Sequence, residues 1–177
     1  MRRRLFFWEA GGFLFVAVLG TLLHFVYDWS GESAVAAAFS GVNESTWEHM
    51  KLLFFPIFFY SLVQMWFTGR NYPNFPAVRA VSTLAGLALI PTLFYTYTGI
   101  LGYRIDWVNI AIFFVAALTT FILDRRLLAE GRMNTPWLQM LGLAILWALA
   151  FLFVWCTFRP VQLALWQDPI TGDYGIP

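Results

Sequence analysis

The chain has 177 residues, of which 60% are hydrophobic and only 12% charged. A soluble globular domain is nearer half apolar and a quarter charged, so this composition excludes an ordinary water-soluble domain and places most of the chain in lipid. A net charge of +1 marks no nucleic-acid surface, and one cysteine, Cys156, excludes an intrachain disulfide.

A transmembrane helix takes roughly 20 apolar residues. Five such helices use nearly the whole chain. The expected fold is therefore all-α, a single integral membrane domain over residues 1–177 built as a polytopic bundle of five transmembrane helices. Nineteen Phe, nine Trp and seven Tyr fit spans with interfacial aromatic belts.

The first span is predicted at residues 5–27. Arg2-Arg3-Arg4 before it imitates a signal peptide, but the apolar run exceeds the usual core of about 7–15 residues, so the helix reads as uncleaved. Glu9 is its one charge and is expected to reach the headgroups. Residues 28–44 are polar at the ends, with an apolar patch at 34–39 too short to span, which either lies in the interface or dips into the protein. The second span is predicted at 45–67, followed by a loop at 68–77 punctuated by Gly69, Pro73 and Pro76. The third covers 78–98, where Pro91 is expected to introduce a kink. The fourth covers 107–123 and leads into a charged loop at 124–134. Thr135-Pro136 reads as a capped helix start, giving a fifth span at 136–158 and a tail at 159–177.

Basic residues set the orientation. With the amino terminus inside, Arg2, Arg3, Arg4, Arg70, Arg79, Arg125, Arg126 and Arg132 lie inside, and only Lys51, Arg104 and Arg159 lie outside. The carboxyl terminus is then outside.

One stretch stands apart: Asn43-Glu44-Ser45-Thr46-Trp47-Glu48-His49-Met50-Lys51. Ionisable residues at a membrane segment point to function by default. Glu44, Glu48 and Lys51 share a helix face if the second span starts that early. His24, one turn before the outer end of the first span, is expected at the depth of Glu48 and in contact with it. Asn109, Tyr95 and Tyr97 belong to the same level.

Structural readings account for part of this. Ser45-Thr46-Trp47-Glu48 is a capping-box pattern in which Glu48 bonds back to the cap. Lys51 suits an ion-pair partner or a snorkelling cation, Asn43 a turn residue, and Cys156 a small packing residue. Glu44, His49 and His24 are left unexplained. The expected ligand-binding set is therefore His24, Asn43, Glu44, Glu48, His49 and Lys51. Glu48, His49, Glu44 and His24 are the candidates for acid–base chemistry or metal ligation. Their residue types suit zinc or manganese, although Glu48 and His49 are adjacent and His-Glu-x-x-His is absent.

Three segments carry a resemblance: Gly20 through His24-Phe25-x-Tyr27 to Ser30-Gly31; Phe39-Ser40-x-Val42-Asn43-Glu44-Ser45-x-Trp47-Glu48-His49-x-Lys51-Leu52; and Asp168-Pro169-x-Thr171-Gly172-x-Tyr174-Gly175-Ile176. In these the chain resembles an uncharacterised family of small bacterial multi-pass membrane proteins, mostly from Clostridia-like Gram-positive lineages. The resemblance implies a shared fold and a bacterial inner membrane. It implies no activity, and no catalytic residue carries over.

Three functional readings follow. The leading one is an outward-facing polar pocket that binds a small polar ligand or ion, such as a lipid headgroup. Its rivals are a membrane hydrolase or transferase, metal-assisted, acting on a lipid or envelope precursor, and a non-catalytic partner subunit. The tail, with turn chemistry from Pro169 to Gly172, is expected either to fold over the cluster as a lid or to lie among headgroups.

Overall fold

The computed structural model describes residues 2–176; Met1 and Pro177, which the sequence assigned to the amino-terminal lead and the tail, lie outside them. The described chain forms α1 (Arg2–Trp29), α2 (Ala34–Ala37), α3 (Thr46–Phe67), α4 (Phe75–Leu101), α5 (Asp106–Glu130) and α6 (Pro136–Phe158), with a 3-10 turn at Gly69–Asn71. All but α2 are long and apolar enough to cross a membrane, and they correspond to the five expected spans.

Helix ends follow local chemistry. Ser45, extended at φ −67° and ψ 152°, accepts from the Glu48 amide and starts α3. Gly102 and Gly131 adopt left-handed φ of 78° and 67° and stop α4 and α5, a conformation costly to other residues. Pro136 opens α6 as expected, but Thr135 makes no side-chain cap. The Gln139 amide fastens that turn instead, donating to the carbonyls of Met133 and Thr135.

The most hydropathic window of α3 is 56% buried and that of α4 is 50%, against 28% for α1, α5 and α6. So α3 and α4 form the interior, and the other three turn most of their apolar surface outward, where lipid would cover it. Helix α3 packs on all four other spans. Trp47, Phe54 and Phe55 on α3 meet Phe153 of α6, the closest ring pair lying 4.5 Å apart. Pro56 and Pro91 both sit inside unbroken helices.

One expectation is corrected here, and one left open is resolved. Helix α5 continues two turns past residue 123, so most of the expected loop at 124–134 is helical. Asp124 can stay in the span because its charge is met by Arg79, 3.1 Å away. The patch at 34–39 dips into the protein: Ala37 and Val42 are buried against Tyr27.

Candidate functional site

The loop before α3 is built by its own polar side chains. Asn43 Oδ1 accepts from the Ser45 amide at 2.9 Å, and its Nδ2 donates to the Gly175 carbonyl at 2.7 Å. That Asx turn occupies the amide a capping-box glutamate would take. The Glu48 carboxylate accordingly accepts from the Val42 amide at 3.2 Å, which corrects half of the capping-box expectation.

Glu48 and Lys51 close on one another. Both are buried, with Lys51 Nζ 2.5 Å from the Glu48 carboxylate. The two further ammonium donors go to the Ala37 carbonyl at 2.9 Å and the Thr157 hydroxyl at 2.8 Å. All three donors of the lysine are satisfied. The network ties α2, α3 and α6 together, and neither residue lines a cavity beside His24.

His24 meets Glu44 rather than the expected Glu48. Its Nε2 is 3.6 Å from Glu44 Oε1, and His49 Nε2 is 3.7 Å from Glu44 Oε2. The physical reason is where α3 begins. Glu44 precedes the Ser45 cap, so it leaves the face it was expected to share with Glu48 and Lys51. The two imidazole rings are perpendicular with centroids 5.5 Å apart. One donor atom from each of His24, Glu44 and His49 lies within 4.8 Å of the other two.

His49 Nδ1 lies 2.9 Å from the Ser45 carbonyl. A carbonyl only accepts, so Nδ1 carries a proton, and Nε2, on the Glu44 side, is the ring atom left to ligate. Carbonyls commonly orient ligating histidines in this way. Zinc bonds of about 2.1 Å at tetrahedral angles place ligand atoms about 3.4 Å apart. The two His–Glu separations end on different Glu44 oxygens; both are too long for good hydrogen bonds and close in length to the edge of a metal tetrahedron, and a single oxygen serving both histidines stays within 4.8 Å of each.

Two cavities share Glu44, His49, Asp106, Asn109 and Phe113 in their walls. One, about 280 Å³, adds Thr46, Arg104 and the tail residues Pro169 and Ile170. The other, about 360 Å³, lies between α1 and α5 and adds Gly20, Thr21, His24, Phe25, Ile110 and Phe114. Gly20 permits this approach of the helices, since a Cβ there would stand 2.5 Å from the Phe113 ring. Asn109 is held by Tyr97, whose hydroxyl also accepts from the Ile105 amide at 3.1 Å.

The tail folds back over this end. The Trp47 amide donates to the Leu165 carbonyl at 2.9 Å, and the Trp47 and Trp166 rings stack at 4.6 Å. Tyr95 holds the Ala164 carbonyl. The Asp168 carboxylate accepts from the amides of Ile170, Thr171 and Glu44, curling the segment and pinning it to the Asn43 loop.

A second polar cluster escaped the sequence reading. Near the opposite end, Glu9, Gln64, Arg79 and Asp124 converge from four spans, all buried. This corrects the expectation that Glu9 reaches the headgroups. Arg79 Nη2 donates to Gln64 Oε1 at 2.6 Å and lies 3.6 Å from Glu9 and 3.1 Å from Asp124. Its Nε and Nη1 have no acceptor among the described residues. The guanidinium lies instead against the Phe75 and Phe121 rings, at 5.1 and 5.2 Å. The signal was present: each of the four lies about one or two turns from the same end of its span.

No curated protein and no solved structure matches this sequence. Residues 4–176 match the model of a family described as a family of unknown function, DUF6512, and the chain belongs to that family.

Proposed function

We propose that this protein binds a zinc-class divalent ion at His24, Glu44 and His49, in an outward-facing pocket of a bacterial inner-membrane bundle. The amino terminus is inside and the tail outside, as the split of basic residues argues. The observation that carries the reading is the spacing of the donor set. One Glu44 oxygen stands 3.6 Å from His24 Nε2 and the other 3.7 Å from His49 Nε2, the second ring oriented by the Ser45 carbonyl, and one donor atom from each residue lies within 4.8 Å of the other two. Asn43, Glu48 and Lys51 are the frame: they fix the loop and the start of α3.

An enzyme is the second reading, and one observation favours it. Two histidines and a carboxylate leave a fourth position for water or substrate, the arrangement of catalytic rather than structural zinc. Here the donor residues line cavities that also bear Asp106 and Asn109. Asp106 is the candidate base, and the metal would polarise a bound ester or water.

Cobalt titration of the purified protein tests the site. The expected result is the intense visible absorption of tetrahedral cobalt, displaced by zinc and lost in His24→Ala and His49→Ala. Absorption of equal strength in both variants would overturn the assignment.

A further inference from the structure

We infer that the pocket takes an amphipathic lipid with an anionic phosphate headgroup, its acyl part lying between α1 and α5; this rests on the metal reading above. The two cavities differ in character and meet at the donor set. The α1–α5 cavity is walled by Phe25, Ile110, Phe113 and Phe114 and lies between two spans that turn most of their apolar surface outward. Ile110, Phe114 and Phe25 are themselves exposed, so lipid would reach this wall from the side. The second cavity lies under the tail and carries Arg104, which has no carboxylate partner among the described residues. A molecule filling both would keep its chain among aromatic rings and its head beside Arg104 and the metal.

Charge decides the sign of the head. Glu44 and Asp106 on the walls, with Asp168 behind Glu44, against Arg104 leave the joined cavities net negative when the histidines are neutral. In that state an anion is repelled. A divalent ion cancels that excess, leaves Arg104 free to pair with an anion, and adds an open coordination position for a phosphate oxygen. Anion binding is therefore conditional on metal, while metal binding does not require the anion. A free phosphate would satisfy the head but leave the aromatic wall unused.

The test measures binding of dioctanoyl phosphatidic acid, inorganic phosphate and dioctanoylglycerol to the full chain in detergent, zinc-loaded and chelated, with zinc content determined on each sample. The expected result is that the phospholipid binds the zinc-loaded protein at least tenfold more tightly than either fragment. Chelation should weaken it by tenfold or more. Arg104→Gln should weaken both phosphate-bearing probes, and Ile110→Trp, on the apolar wall, the phospholipid alone. Zinc retained with phospholipid no tighter than inorganic phosphate would overturn this inference and leave the metal site standing. Zinc retained with dioctanoylglycerol as tight as the phospholipid would do the same. Absence of zinc from the unchelated protein would overturn both.

Discussion

Lys51 and Glu48, three residues apart on α3, form a buried ion pair in which every ammonium donor has an acceptor. A single substitution therefore strands a charge. Glu48→Gln keeps the shape and could still cap a helix, yet it leaves Lys51 unpaired in the interior. The expected cost is about 3–5 kcal/mol, the range for breaking a buried pair. A simple cap would cost about 0.5–2 kcal/mol. Thermal unfolding in detergent separates the two, and the double variant Glu48→Gln/Lys51→Met should recover much of the loss.

The Arg79 cluster predicts an asymmetry. One guanidinium faces two carboxylates, Glu9 and Asp124. Arg79→Met strands both and should be among the most destabilising substitutions in the chain, again about 3–5 kcal/mol. Asp124→Asn leaves one carboxylate for one guanidinium and should cost clearly less. Equal losses in thermal unfolding would mean that the charges do not act as a balanced set.

Asp168 fixes the turn at the end of the tail. Asp168 accepts from three backbone amides, so Asp168→Ala should free the segment without unfolding the bundle. Limited proteolysis should then cut between residues 160 and 176 much faster than in the wild type, with the unfolding midpoint of the helices nearly unchanged. Wild-type resistance would show that Trp47 stacking and the Asn43–Gly175 bond hold the tail alone.

Topology has its own readout. A reporter active only in the cytoplasm should work when fused after Arg126 and fail when fused after Ile176. The reverse pattern would place the histidine pair on the cytoplasmic side.

How much of this was legible in the sequence depended on whether residues were contiguous. The spans stood out because hydropathy sums over about 20 neighbours. The polar stretch from Asn43 to Lys51 stood out because its members adjoin. Pairing within it did not, because it turns on where α3 begins. With Ser45 as cap, Glu44 belongs to the loop and swings to His24 and His49, while Glu48 faces Lys51. The Arg79 cluster was harder still. Its four members lie on four helices, and each taken alone reads as a charged or polar residue at a span end. Only a comparison of depths across spans joins them. The same comparison would have extended α5 through Asp124, whose charge is compensated from α4.

The metal content of the purified protein bears most directly on the central claim. Protein prepared without chelators and dialysed against trace zinc should carry one equivalent by elemental analysis. His24→Ala, His49→Ala and Glu44→Gln should each carry well under half, while folding as the wild type does. Zinc absent from the wild type, or held equally by all three variants, would contradict a metal site at His24, Glu44 and His49.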